Sequence, residues 1–152
     1  MHIPGEDADS LVESAMAAVG LDGADIRCPW QVARMMGIRV EALIDGPTHG
    51  QFDLEHAVAR VRLSRCAAVT RWRLAHELGH LVLCLHGLTM PHDEGLANRC
   101  ARSLCMGRRH VLRALRRSTP QDFVQDHAGW LPAEQVGLRV WEVSQSLRQL
   151  VG

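Results

Sequence analysis

Arg71-Trp72-Arg73-Leu74-Ala75-His76-Glu77-Leu78-Gly79-His80-Leu81-Val82-Leu83-Cys84-Leu85-His86 is the stretch from which the rest of the chain is read. Its apolar residues cover most of a helical surface, and the pattern predicts a helix over about 71–86. Within it, His76-Glu77-Leu78-Gly79-His80 has the form H-E-x-x-H. Side chains four apart project from one helix face, so two imidazoles at this spacing can reach one metal ion. Glu77, one residue on, sits beside the open position of such an ion. There it can take a proton from water and pass it to a leaving amine. Three polar groups on an otherwise apolar helix would each cost about 1–3 kcal/mol if buried unpaired, and a bound cation removes that penalty. One zinc ion per chain is the expectation, because imidazole and carboxylate ligands with one open position suit it.

Two residues compete to be the third ligand. His86 lies six residues after His80, as in the metzincin signature, which places a glycine three residues after its second histidine so that the chain can leave the helix. Here that position is Leu83. In an unbroken helix, six residues leave His86 about 120° away from His80. Glu94 lies at the start of the next predicted helix, Pro91-His92-Asp93-Glu94. If that helix packs antiparallel to the first, its opening turn returns to the ion and completes a His, His, Glu set. A carboxylate there could instead favour the helix N-terminus, but Asp93 suits that role better, which leaves Glu94 as the stronger ligand. Cys84, four residues beyond His80, is too far along the axis from His76 to share an ion with both histidines, so it is expected in the core.

The rest of the chain frames this segment. It has 152 residues, 47% hydrophobic and 22% charged, enough for one compact domain over 1–152 and too apolar for a disordered tail. No apolar run exceeds five residues, as at Leu81–Leu85, so no membrane-spanning helix is expected. The start, Met1-His2-Ile3-Pro4-Gly5-Glu6-Asp7, is acidic where a signal peptide needs positive charge, and a cytoplasmic protein is expected. Five cysteines without a CxxC pair read as reduced thiols, mostly buried. Helical spacing marks Ala8–Val19, and Pro29 opens a second helix that Gly37 closes. Period-two alternation over Ile38–Ile44 and Ala57–Leu63, separated by a turn at Asp45–Gly50, predicts a small antiparallel or mixed sheet of two or three strands. Further helices are expected over about 91–117 with a break at Gly107, then over 120–128, 132–136 and 143–150. The fold class is α+β, dominated by helices.

The formal net charge is zero, yet residues 1–57 hold ten acids against three arginines and residues 58–152 fourteen arginines against seven acids. Arg99, Arg102, Arg108, Arg109, Arg113, Arg116 and Arg117 follow one another with no acid between them. Such a run can face nucleic acid, but the balanced total charge favours a helix surface that pairs with the acidic N-terminal half. Every basic residue is arginine, and tyrosine is absent.

Two blocks carry a family resemblance. Arg71-Trp72-Arg73-Leu74-Ala75-His76-Glu77-Leu78-Gly79-His80 and Glu94-Gly95-Leu96-Ala97-Asn98-Arg99-Cys100-Ala101-Arg102-Ser103-Leu104-Cys105-Met106 are similar to blocks of the ImmA/IrrE-type zinc metallopeptidases of bacteria, phages and mobile elements. Ile38-Arg39-Val40 and the Val58–Leu63 strand resemble that family's upstream strands. The match spans about residues 29–107, with a helical part at 108–152. Val143-Ser144-Gln145-Ser146-Leu147-Arg148-Gln149-Leu150 resembles the family's terminal helix.

The resemblance implies a zincin-like domain with His76, His80 and Glu94 as zinc ligands and Glu77 as catalytic acid/base. The implied substrate is a helix-turn-helix transcriptional repressor, cut to relieve repression of stress or mobile-element genes. Cys100, Cys105 and Gly107 depart from the family pattern, the cysteines as plausible core residues. Related peptidases commonly hold the oxyanion with a tyrosine or histidine. Without tyrosine, His49, His56, His92, His110, His127 or Arg71 would have to serve. The strand over Ala57–Leu63 is expected to be an edge that takes the substrate backbone by strand addition. The alternative to a peptidase is a zinc-containing regulator or toxin–antitoxin component that binds a partner without cutting it.

Overall fold

The computed structural model describes residues 7–45, 50–88 and 93–151. Helices α1 (Asp7–Ala17) and α2 (Pro29–Met35) precede strands β1 (Arg39–Leu43), β2 (Gly50–Asp53) and β3 (Val58–Arg62). Helices α3 (Ala67–Leu85), α4 (Glu94–Cys105), α5 (Arg108–Leu115), α6 (Pro120–His127) and α7 (Ala133–Val151) follow. This is an α+β, mainly helical fold with a small mixed sheet. No helix among the described residues is long and apolar enough to cross a membrane.

The central element is α3. Leu74, Ala75, Leu78, Leu81, Val82 and Leu83 are all buried on it, so the helix is covered nearly all round rather than along one stripe. It begins directly after the sheet: the Ser64 amide donates to Thr70 Oγ1 at 2.9 Å, and an Arg73 guanidinium nitrogen donates to the Arg62 carbonyl at 3.0 Å. One buried cluster, from Ala8 on α1 to Val143 on α7, surrounds this helix.

The two alternating segments pair in parallel, with Arg39 opposite Val58 and Leu43 opposite Arg62. Three sequence expectations change. The third strand, Gly50–Asp53, begins in the segment read as a turn and runs antiparallel to β3, with Gly50 opposite Val61. Gly50 therefore belongs to a strand and not to the turn. The sheet order β1-β3-β2 puts β3 in the centre, so the Ala57–Leu63 segment is no edge and cannot accept a further strand. Alternation reports that one face is buried and says nothing of how many neighbours a strand has. Finally, the two short helices expected over 132–136 and 143–150 are one helix, α7, running straight through Gly137, whose side-chain position faces open space.

The α4–α5 break falls at Met106–Gly107, as expected. It divides the arginine run, and much of that run is paired. Arg102 meets Glu142 of α7, Arg108 meets Asp9 of α1, and Arg113 meets Asp25. The acidic N-terminal half supplies two of these three carboxylates. Cys100 and Cys105 are fully buried, where burial pushes both thiols up to about 12. Cys84 is only half-buried, contrary to the core position expected of it, and Cys66 is exposed.

Candidate metal centre

α3 and α4 approach each other at small residues, Gly79 on α3 and Ala97 and Ala101 on α4. A Cβ built on Gly79 would lie 2.4 Å from the Ala97 carbonyl oxygen, so only glycine permits this approach. With the two backbones this close, the first turn of α4 lies over His76 and His80. Asp93 caps that turn, its Oδ1 accepting from the Gly95 amide at 2.8 Å and the Leu96 amide at 3.3 Å. Glu94 is thereby released from capping and turns toward the imidazoles.

Glu94 Oε2 lies 3.1 Å from His76 Nε2, Glu94 Oε1 lies 3.3 Å from His80 Nε2, and the two Nε2 atoms are 3.2 Å apart. His80 is buried, His76 half-buried, and the Glu94 side chain 64% exposed. His76 Nδ1 donates to Asn98 Oδ1 at 2.7 Å. That bond places the ring's proton on Nδ1 and leaves a lone pair on Nε2, aimed at the other two groups. Electron-rich atoms thus converge from all three residues, and they could hold a metal ion. Ligand atoms on a tetrahedral zinc stand roughly 3.3 Å from one another, and the separation of the two imidazole nitrogens fits that spacing.

His86 does not join them. It terminates α3, with Nδ1 against the Val82 carbonyl at 2.9 Å. Cys84 is likewise outside the cluster.

Glu77 is buried beside the cluster, on the side of the sheet. A Cβ on Gly50 would come within 3.0 Å of Glu77 Oε1, so the β2 backbone passes directly over this carboxylate. Burial is the largest influence on Glu77 and raises its pKa; the neighbouring His76 opposes the rise and Glu94 adds to it.

The residues proposed to stabilise an oxyanion are mostly engaged elsewhere. Arg71 donates to the Trp130 carbonyl at 2.6 Å and stacks 4.1 Å from the Trp130 ring centre. His110 and His127 face each other, Nε2 to Nε2 at 2.9 Å, against Phe123. His56 is exposed and pairs with Asp53 at 2.8 Å. His49 and His92 lie outside the described residues. Asn98 is the functional candidate that sequence reading passed over, although it stands four residues after Glu94 on the same face of α4.

No profile of a known protein family matches the chain, and no curated protein matches it.

Proposed function

We propose that the protein is a zinc-dependent endopeptidase of ImmA/IrrE type, acting on a helix-turn-helix transcriptional repressor. The observation that carries this reading is the convergence of His76 Nε2, His80 Nε2 and the Glu94 carboxylate, with Glu77 buried one residue along the same helix. The ion, held by these three residues, would supply Lewis acidity toward a peptide carbonyl and acidify a water. Glu77 accepts a proton from that water and delivers it to the departing amide nitrogen. Asn98 holds the His76 ring in the tautomer that presents Nε2.

The strand-addition idea moves from β3 to β2. β2 has β3 on one side only and no second strand partner among the described residues, and its Gly50 backbone borders Glu77. An extended substrate laid along this edge would bring its backbone past the carboxylate.

Glu77→Gln is the direct test. Incubated with helix-turn-helix repressors of the same genome, the zinc-loaded wild type should release new N-termini detectable by mass spectrometry. The variant should do so about 10²–10⁴-fold more slowly, with its zinc content unchanged. Equal cleavage by both proteins would contradict the role of Glu77. The engagement of Arg71, His56, His110 and His127 elsewhere favours a second reading, a zinc-containing regulator that binds its partner without cutting it. In that case Glu77→Gln retains full function in cells.

A further inference from the structure

A second polar site borders α4 on the face that carries Gly95, Arg99 and Arg102. A cleft of about 390 Å³ opens between α1, α4, α5 and α7, within the range of small-molecule sites. Four arginines line it, Arg99, Arg102, Arg108 and Arg139, against two carboxylates, Asp9 and Glu142. Arg102 and Arg139 form a buried floor and are already bonded. Arg102 donates to Glu142 and Gln135, and Arg139 to Asp9 at 2.7 Å and to the Met106 carbonyl at 2.9 Å.

The walls differ from the floor. Arg99 makes one long bond, from Nε to the Gly95 carbonyl at 3.5 Å, and has no carboxylate partner among the described residues. Arg108 reaches Ser146 and touches Asp9 only at 4.0 Å. Two guanidinium groups therefore flank the cleft with donors to spare, and its charge is in surplus by two. The rim of the same cleft carries Trp141, 60% exposed, beside Leu138. An indole face at the mouth of an arginine-lined cleft suits a flat ring attached to a doubly charged anion.

We propose that this cleft binds a phosphate monoester bearing a planar ring, a nucleoside monophosphate in chemical class. A phosphate dianion matches the surplus of two charges, and the spare guanidinium forks match its oxygens. The ring stacks on Trp141. A carboxylate of an acidic peptide brings one charge to a position that lacks two, which makes it the poorer occupant. Gly95 lines the cleft and follows Glu94 in sequence, so the ligand rests against the turn that carries a candidate metal ligand. The proposal stands apart from the peptidase reading, since it uses neither Glu77 nor the histidines.

Isothermal titration of the full chain with AMP, GMP, CMP and UMP at low salt tests it. At least one nucleotide should saturate with a Kd below about 1 mM, with inorganic phosphate weaker. Arg99→Gln and Trp141→Ala should each weaken that binding about tenfold, from the loss of a charged hydrogen bond and of a stacking face respectively. Both side chains are partly exposed, so circular dichroism of the variants should match the wild type. Glu77→Gln should bind as the wild type does, which keeps this outcome separate from that of the cleavage test. No saturable heat from any of the four nucleotides, or unchanged affinity in Arg99→Gln, would overturn the proposal. So would an oligonucleotide without a terminal phosphate, or an acidic peptide, binding more tightly than every mononucleotide.

Discussion

Two polar clusters share α4, and they satisfy their charges in opposite ways. In one, Asp9, Arg139, Glu142 and Arg102 alternate in sign, and Ser103 and Gln135 add hydrogen bonds. Burial alone would raise the Asp9 pKa, but the charge of Arg139, hydrogen bonds from Arg139 and Ser103, and the nearby Arg108 hold it below the usual carboxylate range. In the other, His76, His80 and Glu94 bring acceptors together, and none of the three is a fixed cation. The first cluster is complete in itself and ties α1, α4 and α7 into one unit. The second gathers acceptors that could hold a cation, whereas the first already contains its own.

The sharpest way to break the comparison is to unbalance the complete cluster. Arg139→Met takes its nearest cation from the half-buried Asp9 and the Arg139 donor from the Met106 carbonyl, and should cost about 3–5 kcal/mol in urea denaturation. A loss below 1 kcal/mol would mean that the network does not hold the fold. Gly79→Ala tests the contact that sets α4 against α3. The added methyl meets the Ala97 carbonyl, so α4 must move; a destabilisation of about 1–3 kcal/mol is expected, together with weaker zinc binding. If zinc affinity is unchanged, the closeness of the two helices does not position Glu94.

Asn98→Ala refines the picture at the ligands themselves. It frees the His76 ring to change tautomer, and zinc affinity should fall about 10–100-fold with little change in melting temperature. The smallest effect belongs to a third polar site, on α5 and α6. His110 has its pKa lowered from 6.5 by burial first and then by His127 and Arg113, with Asp25 opposing. A histidine held neutral in the folded state contributes stability above its unfolded pKa, and that contribution fades as the pH falls through about 6.5. Thermal melts from about pH 7.5 to 5.5 should show a shallower decline in His110→Gln than in the wild type.

Local rules made much of this molecule legible. The histidine spacing, the capping role of Asp93 and the consequent freedom of Glu94 follow from helix geometry, and the structure places all of them as expected. Helix α2 was readable from Pro29 and Gly37, because both act on their own backbone. Features that depend on distant partners were not readable. A four-residue strand such as Gly50-Gln51-Phe52-Asp53 is too short for its alternation to stand out, yet it decides which strand is the edge. Gly137 stays helical because α7 is held by the burial of Val136, Val140 and Val143 and not by local propensity. The break at Gly107 was readable, but the pairing of Arg102 was not, because sequence order hides the arrival of Glu142 from α7. Asn98 went unremarked because its partner, His76, lies on another helix.

The central claim is that His76, His80 and Glu94 together bind one divalent ion. Elemental analysis of the purified wild type beside Glu94→Ala and His86→Ala tests it most directly. One zinc per chain in the wild type and in His86→Ala, with loss in Glu94→Ala, is the expected result. A wild type without zinc after reconstitution, or a Glu94→Ala variant that keeps a full equivalent, would contradict it.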